Sequence, residues 1–296
     1  MLEQSDRAFR TLKLSLHFQG RAKRVFEMGK SLKNTLNDVV AFLIPVISVL
    51  ICWEIISRIE LVNPVLLPPP TRIIKHTLVL LGPADVGGVS FFLERHVFIS
   101  FTRIMAGYLI AATSCTILGL LMGINKRAFS FFNPLITLIM PIPSLAWVPV
   151  VILWLGLGNA TIIFVTMIAS IFPIIYNSAA GVRSMTVKHI WAAEIMGADR
   201  RTIFLKVLLP GAMPYIIAGH KLALGRAWRA LVATEMVVAT GYGLGYLIFE
   251  ARTFMDTETM YGGIAMIAIL GLIIEKGFFG RLERKTVEKW GMSRSL

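Results

Sequence analysis

Long apolar segments separated by short polar pieces dominate this sequence. Six of them approach or reach the length of about 20 residues that a helix needs to cross the hydrocarbon of a bilayer. They lie at about 39–56, 104–123, 131–155, 160–176, 213–238 and 260–279. The pattern predicts an all-α, polytopic membrane protein with six transmembrane helices.

The third segment is interrupted by prolines. Pro134, Pro141, Pro143 and Pro149 all fall inside it. Proline within a membrane helix leaves backbone carbonyls that neighbouring helices, or water in a cavity, must satisfy. We therefore expect this segment to line a pathway, with Pro141 and Pro143 among the lining residues.

The fifth segment carries charges at a depth where charges are costly, so they should face the bundle interior or water. Arg226 and Arg229 are three positions apart and share a helix face. One interpretation pairs them with Glu235 or with freed carbonyls, which would stabilise the bundle; the other has them draw an anion inward. Arg226, Arg229 and Glu235 are therefore predicted to lie on the translocation pathway together with Pro141 and Pro143. Glu235 cannot reach Arg229 within one helix, so its partner must come from another helix or from a second subunit.

A polar stretch at 188–210, KHIWAAEIMGADRRTIFLKVLLP, separates the fourth and fifth segments. Gly197 can adopt the left-handed conformation that commonly closes a helix. Asp199 can cap a second helix that begins at Arg200, and Pro210 should end that helix. The stretch is therefore predicted to form two short helices with a sharp corner, a shape suited to docking.

This stretch resembles the EAA loop of the membrane subunits of bacterial binding-protein-dependent ABC importers. Residues that fall on the loop's pattern are Ala192, Ala193, Gly197, Val207, Leu209 and Pro210. Trp191 stands where the family usually has glutamate, and Glu194 stands where a basic residue is common, so a charged contact from the first position is not expected. The likeness extends over roughly 63–291 and is greatest to the taurine, alkanesulfonate, nitrate, bicarbonate and thiamine-precursor branch. The segments that carry it are LLPPPT, SFTRIMAGYLIA, MPIPSLAWVPVVILWLGLG, LALGRAW and TGYGLGYLIFEAR.

The resemblance implies a permease of the type I ABC importer fold in a bacterial plasma membrane. Its partners would be a second permease copy, two ATPase subunits and an extracytoplasmic substrate-binding protein. No cofactor is expected in this chain, because ATP and magnesium would be bound by the ATPase. The residues expected to couple to that ATPase are Trp191, Ala192, Ala193, Glu194, Gly197, Ala198, Asp199, Leu209 and Pro210.

Composition agrees with a membrane protein and sets its orientation. The chain is 56% apolar, with a mean hydropathy of +0.72 and 16% charged residues, against about 25% in soluble domains. Its net charge of +13 does not call for nucleic acid, because basic residues concentrate on the cytoplasmic flanks of membrane helices. This bias predicts both termini in the cytoplasm, with a basic segment 1–37, a permease domain 38–279 that includes a coupling loop 182–210, and a basic tail 280–296.

No catalytic constellation is visible in the sequence. There is no HExxH pair, no CxxC and no GxxxxGK[ST] phosphate loop, so we expect a transporter subunit and not an enzyme. The alternative is a secondary transporter driven by an ion gradient without an ATPase. Such a protein should show repeated halves and coupling carboxylates in the membrane, whereas Glu235 is the one deep acid here.

Overall fold

The computed structural model describes residues 41, 43–81 and 92–280. The predicted N-terminal segment 1–37 and all but the first residue of the predicted tail 280–296 lie outside the described residues. Among the described residues every regular element is a helix, which confirms the all-α prediction. The chain divides into two compact units, 1–71 and 72–296.

The first unit contains helix α1, at 43–58, and a polar connection that follows it. The Ser57 hydroxyl donates to the Leu67 carbonyl at 2.7 Å. The Glu54 carboxylate accepts from the Thr71 backbone N–H at 3.1 Å and from its hydroxyl at 2.8 Å. These bonds hold the connection against the end of α1. Helix α2, Pro70–Leu81, begins with a proline, whose missing N–H would have no partner in the first turn of a helix.

The second unit is built around three long helices. The helices of this unit that lead up to the loop at 184–186 are α3 (Phe92–Ile124), α4 (Lys126–Ile139), α5 (Val148–Leu155) and α6 (Asn159–Arg183). Those that follow are α7 (Val187–Ile195), α8 (Arg200–Ile203), α9 (Leu209–Val238), α10 (Leu244–Thr253) and α11 (Thr257–Leu272). α6 packs against both α3 and α9, α3 and α9 also contact each other, and these three helices form the core.

Small residues set the close approach of these core helices. A Cβ on Gly119 of α3 would lie 2.7 Å from the Ile175 carbonyl oxygen of α6. A Cβ on Gly219 of α9 would lie 2.9 Å from the Pro173 carbonyl oxygen, also on α6. Backbone contacts this close are how membrane helices gain packing energy without a hydrophobic driving force between them.

Four described helices are long and apolar enough to cross a membrane, or five spans if one bent pair counts as one. The four are Leu93–Ile124, Asn159–Arg183, Arg200–Val238 and Thr257–Gly277. The bent pair is Lys126–Ile139 with Ser144–Leu155, which meet at 84°. The four straight spans overlap the second, fourth, fifth and sixth predicted segments. The predicted first segment coincides with α1 over 43–56, and the count of six stays a prediction.

The predicted third span is not one rod. Its break falls at Met140–Pro143, between α4 and a short 3₁₀ turn, Ser144–Trp147, that leads into α5. Pro134 stays inside α4, and Pro149 falls in the first turn of α5, where its missing N–H has no intrahelical acceptor to lose. Pro141 and Pro143, two positions apart at the break, are therefore the prolines that bend the segment.

The prediction that Pro210 ends the helix begun at Arg200 is wrong. The chain continues as one span from Arg200 to Val238. A π-helical turn, Phe204–Leu208, precedes Pro210, and the Leu209 N–H donates to the Phe204 carbonyl. Because the hydrogen-bond register changes at that turn, the proline falls in the first turn of α9, and its missing donor does not interrupt the helix.

Candidate functional site

A cleft of about 320 Å³ opens where the α4–α5 break faces α9. Its walls are the break residues 140–145, one face of α6 and one face of α9. Four of the predicted pathway residues meet here, namely Pro141, Pro143, Arg226 and Arg229. The remaining lining residues are Met140, Ile142, Ser144, Leu145, Ile168, Ala169, Phe172 and Ala230.

The two cleft arginines are exposed within this chain. Arg229 donates from Nε to the Gly225 carbonyl of its own helix at 3.1 Å. Among the residues that the structure describes, neither guanidinium forms an ion pair. The interpretation that Arg226 or Arg229 pairs with Glu235 is therefore wrong within this chain. Two exposed positive charges in a membrane segment need water, an anion or another chain opposite them.

A second cleft, of about 310 Å³, lies between α9 and the end of α11. Arg229 belongs to both clefts, so one cationic side chain joins them. Lys221 brings a further positive charge, and Glu275 a negative one, to the second cleft. The positively charged face of α9 thus extends from the cleft at the α4–α5 break to the cleft at the end of α11.

Glu235, the fifth predicted pathway residue, is not in either cleft. It is fully buried and pairs with Arg103 of α3, whose Nη1 lies 2.7 Å from Glu235 Oε1. The Ser100 hydroxyl lies within 2.8 Å of Oε2 and 2.9 Å of Oε1. The prediction that its partner comes from outside its own helix is confirmed.

The turn between α9 and α10 closes over this pair. Arg103 Nη1 also donates to the Tyr242 carbonyl at 2.6 Å, and the Gly245 N–H donates to Glu235 Oε2 at 3.0 Å. Gly243, with φ of 139°, has space for no side chain, since a Cβ there would lie 2.6 Å from Glu235 Cδ. The GYGLG sequence at 241–245, which its glycines alone would indicate to be a flexible turn, is therefore hydrogen-bonded to both members of the ion pair.

The sequence did not single out Arg103 or Ser100. Both lie in SFTRIMAG, just before the predicted start of the second span at 104. α3 begins at Phe92, so both lie inside its membrane-length part. An arginine next to an apolar run, with a lone deep acid elsewhere in the chain, is the signal that could have suggested the pair.

The predicted corner forms as the sequence indicates. The Ala198 N–H donates to the Ala193 carbonyl at 3.0 Å and the Gly197 N–H to the Glu194 carbonyl at 2.9 Å, the paired bonds of a Schellman motif. Gly197 has φ of 76°. The Asp199 carboxylate then accepts from the Thr202 N–H at 3.1 Å and caps α8. Hydrogen bonds from Thr202 also lower the pKa of the Asp199 carboxyl.

The corner presents apolar side chains to solvent. Trp191, Ile195 and Met196 are 60%, 88% and 80% exposed. Ala193 is only 5% exposed, so it supports the corner from inside and is not on the docking surface. We call the exposed set Trp191, Ile195 and Met196 the corner patch. Ile195 and Met196 were not among the predicted coupling residues. Their large exposed apolar side chains offer a partner more apolar surface than the alanines of the predicted set.

The other predicted coupling residues divide by location. Ala192, Glu194, Gly197 and Asp199 are exposed, and Ala198 is half-buried beside them. Leu209 is half-buried against the cluster of Val182, Ala212 and Ile216, at the base of α9. Pro210 lies beside it in the first turn of α9. Leu209 and Pro210 therefore connect the corner to the bundle and do not form its surface.

The fold and these features define a helical membrane permease, and comparison with known proteins gives its family. The chain belongs to the family described as binding-protein-dependent transport system inner membrane component, which it matches over residues 115–285. It is accordingly a multi-pass protein of the inner membrane. The resemblance inferred from the EAA-like stretch is confirmed.

Individual relatives agree with this assignment. The chain is 34% identical to the taurine transport system permease protein TauC of Escherichia coli, over 79% of this chain and 84% of TauC. It is 31% identical to the putative aliphatic sulfonates transport permease protein SsuC of Bacillus subtilis, over 84% and 86%. Nitrate and bicarbonate permeases are also among the relatives.

The fold has a solved counterpart. An inward-facing structure of the MetNI methionine ABC transporter superposes with a TM-score of 0.57, over 68% of this chain and 96% of that one, at 19% identity. At this identity the match shows the fold alone. It is the fold of an ABC transporter membrane subunit, as the sequence predicted.

Proposed function

We propose that this chain is the permease subunit of an ATP-driven ABC importer for a small anion, such as a sulfonate, taurine, nitrate or bicarbonate. Relatives named for taurine, aliphatic sulfonates, nitrate and bicarbonate support this choice of solute. Their common chemistry is a compact group with negatively charged oxygens. Selection among them would be made mainly by a separate binding protein, which the family description implies.

The observation that carries the proposal is the cleft at the α4–α5 break, whose two arginines form no ion pair with any other residue that the structure describes. Arg226 and Arg229 lie beside the irregular backbone of the break at 140–143, between α4 and the 3₁₀ turn Ser144–Trp147. A membrane protein tolerates irregular backbone at that depth where it lines a cavity. The arginines would attract the anion, and their planar guanidinium groups suit sulfonate, nitrate or carboxylate oxygens.

A second copy of the chain would complete the pathway. Arg226 and Arg229 line the cleft and are exposed on one side of α9. Charged groups on that side cannot face lipid at low cost. A symmetric partner would place its own arginines opposite and enclose a water-filled route between the two copies.

The corner patch would dock into a groove on an ATPase subunit. Trp191, Ile195 and Met196 form the apolar contact, and the Gly197 turn with the Asp199 cap keeps it rigid. ATP and magnesium would be bound by that subunit and not by this chain. Because Leu209 and Pro210 join the corner to α9, motion of the corner would reach the cleft arginines along a single helix.

The orientation follows from the same assignment. The corner, and with it the loop 182–210, faces the cytoplasm, and the α9–α10 turn lies at the outer side. With α1 as a first span, the chain has six spans and both termini inside. The charge bias of the flanking segments supports this arrangement.

Transport by the assembled complex in liposomes tests the proposal. The permease is reconstituted with the ATPase and binding protein encoded beside it, and uptake of taurine, ethanesulfonate, nitrate and bicarbonate is measured. We expect ATP-dependent uptake of at least one of these anions, which persists when ionophores collapse the ion gradients. Uptake without ATP that ionophores abolish would instead identify a gradient-driven secondary transporter.

A further inference from the structure

The second cleft, between α9 and the end of α11, is lined by hydrogen-bond donors of three different kinds. From α9, Arg229 brings a guanidinium group, Lys221 an ammonium group and Trp228 an indole N–H. All three groups donate hydrogen bonds and accept none. Lys221 and Trp228 are seven positions apart, so they lie two turns apart on the same face of the helix. The cleft is therefore suited to a ligand that accepts hydrogen bonds, as an oxyanion does.

Trp228 is the residue that most clearly indicates a ligand. It is only 7% exposed, and a buried tryptophan N–H usually has a hydrogen-bond acceptor. Among the described residues, Trp228 Nε1 has no acceptor. A Cβ on Gly271 of α11 would lie 3.3 Å from Nε1, so this nitrogen faces another residue of the cleft wall. The indole N–H is thus a donor that lacks an acceptor and points into the cleft.

Two glycines leave space for a ligand beside these donors. Because Gly271 has no side chain, nothing from its position covers the indole nitrogen. Gly225 of α9 also lines the cleft, and a Cβ there would meet nothing within 4 Å. The cleft volume of about 310 Å³ lies at the lower end of the usual range for small-molecule pockets, about 300 to 1,000 Å³. It is therefore large enough for nitrate, bicarbonate or a short sulfonate.

The charges of the second cleft favour an anion without holding it permanently. Arg229 and Lys221 are positive, and Glu275 on the opposite wall is negative, so two positive charges face one negative charge. Glu275 lies in the π-helical turn Ile273–Phe279, and such turns are frequent at functional sites. A site along a pathway must attract its solute and also release it. A small excess of positive charge meets both requirements.

We propose that the second cleft is a binding site for a small oxyanion, which accepts hydrogen bonds from Arg229 and from the Trp228 N–H and is attracted by Lys221. Arg229 lines both clefts, so an anion passes from the first cleft to the second while it stays in contact with this guanidinium group. α9 begins beside the corner at Leu209, and the second cleft extends further toward that end of α9 than the first. The second cleft is then the site that the anion occupies on its way to the corner side. This inference rests on the proposed function, since it adds a second binding site to the same pathway.

Protection of a thiol by anions tests whether the second cleft binds them. Cys52 and Cys115 are replaced by alanine, and either Leu222→Cys, in the second cleft, or Leu145→Cys, in the first, is introduced. The permease is purified in nanodiscs with the ATPase encoded beside it, and its rate of reaction with a water-soluble maleimide is measured without nucleotide. Sodium ethanesulfonate or sodium nitrate is added in increasing amounts. We expect at least one of these anions to slow the reaction at residue 222 in a saturable way, beyond the effect of sodium chloride at the same ionic strength.

Trp228→Phe separates a role in anion binding from a role in packing, because it removes the N–H and keeps an aromatic ring. In this variant the anion concentration that halves the rate at residue 222 should rise by about 10-fold, the usual effect of one hydrogen bond to a charged group. The corresponding concentration for residue 145 should not change. Gly271→Ala, whose Cβ would lie against Nε1, should also weaken protection at residue 222. Trp154→Phe, an exposed tryptophan of α5 outside both clefts, is the matched control and should change neither concentration.

Two results would overturn the inference. One is a reaction at residue 222 that neither anion slows more than sodium chloride does; the other is protection that Trp228→Phe leaves unchanged, which would mean that the indole N–H does not contact the anion. If Leu222→Cys does not assemble, Ile274→Cys on the opposite wall of the cleft replaces it. The proposed function is judged separately, by uptake into liposomes. A cysteine-free complex that imports no anion with ATP refutes it, whereas a complex that imports an anion but shows no protection at residue 222 refutes only the second site.

Discussion

Arg103 and Glu235 lie 132 positions apart in the sequence and form a buried ion pair of 2.7 Å. Taking two charges out of water is costly, and their attraction offsets that cost only when the remaining hydrogen-bonding positions are also filled. Here the Ser100 hydroxyl and the Gly245 N–H fill those of the carboxylate. The pair is therefore a junction on which the placement of several elements depends.

The first prediction concerns what happens when one member of this pair is removed. Arg103→Gln leaves the Glu235 carboxylate buried without its cation, a change that costs roughly 3 to 5 kcal/mol for buried pairs in soluble proteins. We expect a clear fall in the thermal unfolding temperature of the assembled complex, measured by differential scanning fluorimetry.

The double variant provides the control for this prediction. Arg103→Gln with Glu235→Gln removes both charges and keeps two side chains that can hydrogen-bond. It should be more stable than Arg103→Gln alone, because no unpaired charge remains. A loss of stability in the double variant equal to the sum of the losses in Arg103→Gln and Glu235→Gln would show that the charges do not interact.

The second prediction uses the glycine that lies against this pair. A Cβ on Gly245 would overlap the Val232 carbonyl oxygen and would lie 2.7 Å from Glu235 Cβ. Gly245→Ala should therefore destabilise the protein by about 1 to 3 kcal/mol, the usual cost of overpacking. Gly225→Ala is the matched control, since a Cβ there meets nothing within 4 Å. It should raise stability slightly, by about 0.5 to 1 kcal/mol, because alanine favours a helix. Equal thermal shifts for the two variants would contradict the geometry of the turn.

Local rules were enough to predict the corner from sequence. Gly197 adopts the left-handed conformation and Asp199 caps the next helix, because both effects depend on a few neighbouring residues. The same was true of the break at Pro141 and Pro143. These features could be derived without knowing what the segments pack against.

Features that depend on tertiary contacts could not be derived in the same way. The sequence showed that Glu235 needs a partner from another helix, but Arg103 is brought to it only by the packing of α3 beside α9. The burial of Ala193 likewise depends on the residues that pack against α7, and the Glu-Ala-Ala-like pattern does not predict it. The helix continues through Pro210 because a π-helical turn precedes it, and local sequence rules do not predict that turn.

The third prediction tests the corner patch as the docking surface for the ATPase. Ile195→Glu replaces an apolar side chain that is 88% exposed with a charged one. Because the position is exposed, the permease should still fold, but the ATPase should no longer co-purify with it. Gly197→Val should have a similar effect, because a φ of 76° strains a β-branched residue by about 1 to 2 kcal/mol.

Val187→Glu, an exposed apolar residue at the other end of α7, is the control and should retain the ATPase. Ala193→Asp is not a test of docking, because that residue is buried within the chain, and it should lower the stability of the permease itself. Normal co-purification and uptake with both Ile195→Glu and Gly197→Val would remove the docking assignment.

The fourth prediction is the topology. A reporter that is active only in the cytoplasm, fused after Leu296 or inserted in 183–188, should be active. The same reporter placed after Asn159 or near Asp256 should be inactive, and a reporter for the outside should show the reverse. One position on the wrong side would contradict the six-span arrangement.

The last prediction separates the cleft arginines from the ion pair. Arg226 and Arg229 are exposed and, among the described residues, form no ion pair, so removing their charge strands no buried partner. Arg226→Gln and Arg229→Gln should therefore lower anion uptake while leaving the unfolding temperature and ATPase assembly nearly unchanged. Arg252→Gln, which removes an exposed charge from α10 outside both clefts, should affect neither quantity. Because Arg229 lines both clefts and Arg226 only one, we expect the larger loss of uptake for Arg229→Gln. A parallel fall in uptake and in unfolding temperature would instead mean that these arginines hold two permease copies together, and that the anion is attracted elsewhere.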